Sequence, residues 1–183
     1  MKYYVRAYTF LALFAGVIVA LDQWTKSLVR ANIPMGSSWM PWEWLEPYAR
    51  VVHWYNTGVA FGMFQGQNLI FSILAIIVSL VIIFYFPQVP EQEPLLRVAL
   101  GMQLAGAVGN LIDRVTIGHV TDFVSVGTFP VFNVADASIT VGCAILLLTV
   151  YMQDRRQRKA KAVEAAEPVE QNAKQDESEF PPA

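Results

Sequence analysis

Residues Gly118 to Ser138 read GHVTDFVSVGTFPVFNVADAS and place two aspartates, Asp122 and Asp136, next to long apolar segments. An ionisable side chain at membrane depth costs free energy, so such residues are retained mainly where they have a function. Both aspartates lie where hydrophobic sequence gives way to a shorter, turn-rich stretch. The fold of the remaining chain must therefore explain how two carboxylates come to lie here.

The pattern inside this stretch predicts a β-hairpin. Residues Thr121 to Val126 alternate and favour a strand, Gly127 to Pro130 is turn-like, and Val131 to Asn133 can fold back. Such a hairpin brings Asp122 beside Asp136. Two carboxylates close together in a poorly solvated site cannot both ionise cheaply, so they share a proton and titrate as a pair. The pair then supplies both a base that activates water and an acid.

A purely structural interpretation fits the same two residues. Asp136 would cap the fourth helix and Asp122 would end a strand, and Asp is favoured at both places. Any membrane protein needs helix caps and aspartates in its outer loops. Spacing alone therefore leaves the catalytic and the structural interpretations open.

The composition of the whole chain indicates an integral membrane protein. Of its 183 residues, 55% are hydrophobic and 15% are charged, which is unlike an ordinary soluble domain. A basic cluster follows the last apolar run and acids dominate the extreme tail, a distribution that argues against nucleic-acid binding. Four runs are long enough to cross about 30 Å of hydrocarbon; they cover about residues 7–29, 69–86, 95–112 and 136–152.

Two of the predicted spans carry patterns that constrain packing. In the first, Asp22 and Lys26 are four residues apart with the acid first, so they share a helical face and can pair. In the third, Gly101, Ala105 and Gly109 form a small-residue stripe that lets another helix approach closely. We therefore expect the first span to be braced by an ion pair and the third to pack tightly.

The segment between the first and second spans leaves the lipid. It is rich in Trp and Tyr, whose rings favour the headgroup level. Residues 50–55 alternate weakly and predict a strand, while residues 59–64 predict a short surface helix. The chain is thus predicted to be an all-α integral membrane protein with four transmembrane helices, a small extracytoplasmic β element and a short surface helix.

The distribution of positive charge predicts the orientation. Residues 154–161 hold the densest basic cluster, which the positive-inside rule places in the cytoplasm. Four spans then put the N-terminus, with Lys2 and Arg6, on the same side, so both interfacial loops face outward. Residues 1–153 form one membrane domain, and residues 154–183 form a basic and then acidic cytoplasmic tail that we expect to be disordered.

Five short blocks resemble the signature motifs of lipoprotein signal peptidase, also called signal peptidase II. They occur in the family's order, fit its four-span topology and together cover about residues 8–151. Five blocks in register are far harder to obtain by chance than one pattern. They are LDQWTK (21–26), NTGVAFG (56–62), GNLIDR (109–114), VTDF (120–123) and FNVADAS (132–138).

The resemblance implies an aspartic endopeptidase of the bacterial inner (cytoplasmic) membrane in which Asp122 and Asp136 form the catalytic dyad. The dyad, facing the extracytoplasmic side, would activate a water that attacks the peptide bond just before a diacylglyceryl-modified cysteine, releasing the signal peptide of a prolipoprotein. Prolipoproteins with a lipid-modified cysteine and membrane lipids are the implied partners, and no metal or organic cofactor is implied. We expect a monomer. The segment between the two aspartates is compact for the family.

Eight further residues of these blocks are expected to support the dyad. They would hydrogen-bond the dyad, the substrate backbone or one another, or brace the first helix. Structural roles remain open for them: an Asn before Thr-Gly is common in turns, and Asp113 with Arg114 is equally explained as a structural pair or as helix-end charges. The eight are Asn56, Gly58, Asn110, Asp113, Arg114, Asn133, Asp22 and Lys26.

Other functions find less support in the sequence. His53 and His119 are the only histidines and form no HExxH motif, so a zinc protease lacks ligands. The principal alternative is a small proton- or ion-coupled transporter with the aspartates as a relay, which the lack of internal repeats weakens. A non-enzymatic scaffold built on the small-residue stripe is a third alternative.

Overall fold

The computed structural model describes residues 1–58 and 65–179, and for residues 163–179 it describes the backbone alone. Within this part of the chain, four helices are long and apolar enough to cross a membrane, which confirms the predicted four-span architecture. The helices are α1 (Lys2–Asn32), α2 (Asn68–Tyr85), α3 (Pro94–Thr116) and α4 (Val134–Glu179), with a 3-10 turn at Phe86–Gln88.

Prolines set several of the helix boundaries. Pro34 disfavours helical backbone at the residue before it, and Ile33 is extended with φ −119° and ψ 120°, so α1 ends at Asn32. Pro87 lies in the 3-10 turn that follows α2. Pro94 begins α3, where its missing N–H and fixed φ cost nothing. The α3 helix continues to Thr116, four residues past the predicted span.

The three strands form one antiparallel sheet in the order β1-β2-β3. They are β1 (Ser38–Trp39), β2 (Ala49–Asn56) and β3 (Val120–Val126). The sequence predicted β2 and β3 but not β1, and the predicted surface helix at 59–64 lies outside the described residues. Trp54 lies opposite Asp122 in the register of β2 against β3, with an irregularity between Val51 and Trp54.

The predicted hairpin after β3 is present in a reduced form. Val124 bridges Phe132, with the N–H of Val124 donating to the carbonyl of Phe132 at 2.8 Å and the reverse bond at 3.1 Å. Gly127 turns the chain with φ 52°, a left-handed conformation that favours glycine. The returning segment makes one bridge rather than a strand, because α4 begins at Val134.

The helix core joins α1, α3 and the end of α2. A buried cluster contains Ala7, Leu11 and Ala15 of α1 with Leu104 and Ala105 of α3, among others. The predicted small-residue stripe faces α1: a Cβ on Gly101 would lie 2.6 Å from the Phe14 ring, and one on Gly109 would lie 2.8 Å from Asp22 Oδ2. The close helix approach expected from this stripe is therefore confirmed, and it carries polar side chains of α1 and α3 into contact.

The chain divides into two units, Met1–Leu146 and Leu147–Ala183. The second unit differs from the sequence prediction, because its backbone is helical through Glu179 where a disordered tail was expected. Ala, Glu, Gln and Lys, which dominate this segment, are good helix formers. An exposed ion pair four residues apart, Arg158 Nε to Asp154 Oδ2 at 2.8 Å, lies on this helix. The cytoplasmic location of the segment stays a prediction.

Candidate active site

Asn133 brings the two central aspartates together. Asp122 lies within β3 and Asp136 in the first turn of α4. The Nδ2 atom of Asn133 donates to Asp122 Oδ1 at 2.7 Å, and its backbone N–H donates to Asp136 Oδ2 at 3.2 Å. One residue therefore holds a carboxylate oxygen of each aspartate, which is the juxtaposition that the hairpin predicted.

The same residue explains the helix start. The backbone N–H of Asp136 donates to Asn133 Oδ1 at 2.9 Å, so side chain and backbone of these two residues bond reciprocally. This is a capping box, in which the residue before the helix and the third helical residue satisfy each other's N–H groups. The structural interpretation of Asp136 is thus correct in part, since only its Oδ2 takes part in the cap.

Every carboxylate oxygen of the pair accepts a hydrogen bond from a neutral N–H group. Besides the two bonds from Asn133, Asn56 Nδ2 donates to Asp122 Oδ2 at 3.1 Å and Asn110 Nδ2 donates to Asp136 Oδ1 at 2.8 Å. Within residues 1–58 and 65–162 no cation forms an ion pair with either carboxylate. The two carboxyl groups are therefore oriented by neutral N–H dipoles, and no paired cation neutralises them within these residues.

The environment of Asp122 favours its protonated form. Its side chain is 2% exposed. Burial, followed by the negative charge of Asp136, raises the pKa of Asp122 to about 7, against the opposing hydrogen bonds from Asn56 and Asn133 and the charge of Lys26. At neutral pH this carboxyl group is poised between donating and accepting a proton.

A second pair of aspartates, Asp22 and Asp113, lies next to the first and is paired with cations. Lys26 Nζ lies 2.8 Å from Asp22 Oδ2 and 3.4 Å from Asp113 Oδ2, and all three side chains are at most 1% exposed. Arg30 Nη1 lies 3.4 Å from Asp113 Oδ1. We call Asp22, Lys26, Arg30 and Asp113 the ion cluster. The predicted Asp22–Lys26 pair is confirmed, whereas Asp113 pairs with Lys26 and Arg30 rather than with its chain neighbour Arg114, since adjacent residues on a helix do not face each other.

The ion cluster also accepts hydrogen bonds from the backbone next to each aspartate of the central pair. Asp22 Oδ1 accepts the N–H of Ala135 at 2.9 Å, and Asp113 Oδ2 accepts the N–H of Thr121 at 2.9 Å. Thr121 precedes Asp122, and Ala135 precedes Asp136. Each aspartate of the cluster thus anchors the residue immediately before one aspartate of the central pair.

The remaining predicted residues surround Asp122. Asn56 Oδ1 accepts the N–H of Gly58 at 2.9 Å, which is the turn expected of Asn-Thr-Gly, while its Nδ2 reaches Asp122. Arg114 Nη2 donates to the Gly58 carbonyl at 3.3 Å, and its guanidinium lies over the Phe71 ring at 5.7 Å. Asn56 therefore serves both as a turn residue and as a partner of the central pair, while Arg114 holds the turn.

The sequence analysis missed three polar residues of this region. Gln23 Nε2 donates to the Gly109 carbonyl at 3.0 Å and to Asp113 Oδ1 at 3.2 Å. Arg30 Nη1 donates to Thr121 Oγ1 at 3.0 Å. A signal for Arg30 was available, because it continues the four-residue spacing of Asp22 and Lys26 on one helical face. Gln23 and Thr121 lie inside the blocks LDQWTK and VTDF, which was the signal available for them.

Comparisons with known proteins find relatives of this chain in one family. The family model described as Signal peptidase (SPase) II matches residues 14–152. A lipoprotein signal peptidase of Shouchella clausii is 38% identical over 148 residues, 79% of this chain and 94% of the relative. One of Dehalococcoides mccartyi is 43% identical over 135 residues, 71% of this chain and 81% of the relative. A bacterial membrane enzyme solved by the in meso method superposes with a TM-score of 0.74 at 29% identity, covering 80% of this chain and 90% of the other.

Proposed function

The chain belongs to the signal peptidase II family, and on this premise we propose that it is an aspartic endopeptidase with Asp122 and Asp136 as its catalytic dyad. It is a multi-pass bacterial membrane protein and a signal peptidase that acts on lipoproteins. The cysteine after the scissile bond of its substrates carries a lipid. None of the similar proteins supports a transporter.

One observation carries the proposal: Asn133 hydrogen-bonds an oxygen of Asp122 and an oxygen of Asp136 at once. Two carboxylates held at a common residue and without a paired cation share protons, which is the arrangement aspartic proteases use. The raised pKa of Asp122, about 7, supports the same role.

The reaction follows from the different surroundings of the two carboxylates. Asp136 lies at the N-terminus of α4, where the helix dipole favours its anion, so it takes a proton from water. The water oxygen attacks the carbonyl carbon, and protonated Asp122 donates its proton to the carbonyl oxygen. On collapse of the tetrahedral diol, Asp122 recovers that proton, the C–N bond breaks and Asp136 protonates the departing cysteine nitrogen.

The membrane placement of this chemistry is part of the proposal. Exposed indole and phenol rings on the segment before and within β2, such as Trp44 and Tyr48, suit the headgroup level. With both termini cytoplasmic in the inner membrane, β2 and β3 lie on the extracytoplasmic side, where a lipid-anchored cysteine would remain at the membrane surface. We propose that the enzyme acts as a monomer, with both residues of the proposed dyad supplied by the same chain.

The test compares two forms of one prolipoprotein with purified enzyme in detergent: the diacylglyceryl-modified form and the unmodified form. We expect cleavage of the modified form alone, with a new N-terminus at the lipidated cysteine in mass spectra. Asp122→Asn and Asp136→Asn should each lower kcat by at least about 10³-fold, while Asp154→Asn, which removes an exposed acid, should cleave normally. Retained activity in either dyad variant would remove that residue from the mechanism, and equal cleavage of the unmodified form would remove the lipid requirement.

A further inference from the structure

Lys26 lies at the junction of three hydrogen-bonded branches, one of which ends at Asp136 and two at the residues immediately before Asp136 and Asp122. Its side chain is 0% exposed. Its Nζ atom contacts Asp22 Oδ2 at 2.8 Å, Asn110 Oδ1 at 3.0 Å and Asp113 Oδ2 at 3.4 Å. The ammonium has three N–H donors, so these contacts use its full donor capacity.

The branch through Asn110 fixes the orientation of an amide. Asn110 Oδ1 accepts from Lys26 and from Asn133 Nδ2, at 3.0 and 3.1 Å, so its Nδ2 must point the other way, to Asp136 Oδ1 at 2.8 Å. A rotated Asn110 would direct an N–H group at the ammonium and an oxygen at the carboxylate, and both contacts would be repulsive. Lys26 therefore selects the amide orientation that serves Asp136, and through Asn133 it also affects Asp122.

The other two branches fix the backbone. Asp22 accepts the N–H of Ala135, one residue before Asp136, and Asp113 accepts the N–H of Thr121, one residue before Asp122. Lys26 joins these two carboxylates, which would otherwise repel each other. The separation of the N-terminus of α4 from β3 is thereby tied to one ammonium group.

The charges around Lys26 balance locally. On α1 it is faced by Asp22, with Arg30 one turn further along; on α3 by Asp113, with Arg114 adjacent; Asp122 of β3 and Asp136 of α4 complete its surroundings. Lys26 and Arg30 offset Asp22 and Asp113. Removal of Lys26 would leave an uncompensated negative charge beside the dyad.

We propose that Lys26 is a positioning residue for the dyad: it sets the spacing of Asp122 and Asp136 and the direction of the amide donors that govern their shared proton. This inference rests on the proposed function, because it concerns the same two carboxylates. It goes beyond a brace within the first helix, since a brace would need only the pair with Asp22.

The decisive experiment compares Lys26→Met, which keeps the bulk but removes the charge, with Lys26→Gln, which can still donate to Asn110. For Lys26→Met we expect kcat to fall about 10- to 100-fold, the size typical of residues that orient a reacting group, with KM nearly unchanged. Loss of a positive charge favours the protonated carboxyl groups, so both limbs of the pH profile of kcat should move to higher pH. Lys26→Gln should have a higher kcat than Lys26→Met but the same shifted pH profile. Arg158→Met, in the exposed ion pair, is the matched control for loss of a positive charge and should leave kcat and the pH profile as in the wild type.

A measurement independent of cleavage separates this proposal from the catalytic assignment. The infrared C=O band of protonated carboxyl groups, assigned by its loss in Asp122→Asn, is followed against pH in the wild type and in folded Lys26→Gln. A titration midpoint that moves up supports the proposal even if Asp122→Asn still cleaves substrate, a result that would refute the proposed dyad alone. The proposal is overturned if both Lys26 variants have the wild-type titration midpoint, the wild-type kcat per folded molecule and the wild-type pH profile. It is also overturned if neither variant folds. In both cases Lys26 would be a structural residue.

Discussion

Two pairs of aspartates lie side by side in this protein, and their partners differ in charge. In the ion cluster, Asp22 and Asp113 are at most 1% exposed and face Lys26 and Arg30. In the proposed dyad, Asp122 is equally buried at 2% exposure and Asp136 is half-buried. Within residues 1–58 and 65–162, the oxygens of these two aspartates accept hydrogen bonds only from neutral N–H groups. Asp22, Asp113 and Asp122 are alike in residue type and burial, so the partners decide what each pair can do.

A carboxylate that faces a buried ammonium compensates the charge of that cation, and loss of either partner leaves the other unpaired. Such a group is a fixed anchor, and Asp22 and Asp113 use carboxylate oxygens to hold backbone N–H groups of α4 and β3. A carboxylate held by neutral amides leaves no cation unpaired when it is protonated. The dyad can therefore exchange protons while its neighbours keep it in place.

The largest expected effect is a loss of stability in Asp113→Asn that Asp122→Asn should not show. Asp113→Asn removes one partner of a buried ion pair and leaves Lys26 and Arg30 facing a neutral amide, which should cost about 3–5 kcal/mol of stability. Unfolding in detergent, followed by tryptophan fluorescence, measures the loss. Asp122→Asn should lose activity but little of this stability, because its partners are neutral.

The exposed pair of Asp154 and Arg158 provides the control for that prediction. As in the pair of Asp22 and Lys26, its atoms are 2.8 Å apart at i and i+4, but the Asp154 side chain is 50% exposed and that of Arg158 is 79% exposed. Asp154→Asn should change stability by less than about 0.5 kcal/mol. If Asp113→Asn were no more damaging than Asp154→Asn, burial and pairing would not distinguish the ion cluster.

A second prediction concerns pH. The pKa of Asp122 is raised from 3.8 to about 7, so between these values the folded protein binds a proton that the unfolded chain has lost. Stability should therefore fall as pH rises from about 4 to about 7, by up to about 4 kcal/mol, and then level off. In Asp122→Asn this contribution disappears, and the difference between the two unfolding curves against pH isolates it. A wild-type curve parallel to that of the variant would mean that Asp122 is already ionised in the folded state.

Local patterns in the sequence were sufficient for the four spans, for β2 and β3, and for one ion pair. Alternation predicts β3, apolar length predicts four spans, and spacing of four predicts the Asp22–Lys26 pair. Each of these signals depends on residues close in the chain. The backbone of the tail is helical through Glu179, which its composition did not predict but the helix propensity of its residues favours.

The partners in the long-range contacts could not be predicted residue by residue from the sequence, because helix packing determines them. The Asn56 bond to Asp122 spans 66 residues, the Lys26 bond to Asn110 spans 84, and the Asp22 bond to Ala135 spans 113. The small-residue stripe predicts that a helix approaches α3 but not which polar residue arrives opposite Gly109. The two aspartates of the proposed dyad were therefore accessible from motifs, whereas the connection of the ion cluster to them was not.

The smallest expected effect separates the two cations of the ion cluster. Arg30 is 30% exposed, lies 3.4 Å from Asp113 and donates to Thr121 Oγ1 at 3.0 Å, whereas Lys26 is fully buried. Water can replace the guanidinium, so Arg30→Met should cost about 1 kcal/mol or less and leave the pH profile of cleavage in place. Lys26→Met should lower the free energy of unfolding and shift the pH profile, because water cannot reach the buried site to replace the ammonium group. Equal losses in the two variants would show that the cluster acts through total charge alone, and that the contacts of Lys26 with Asn110 and Asp22 add nothing.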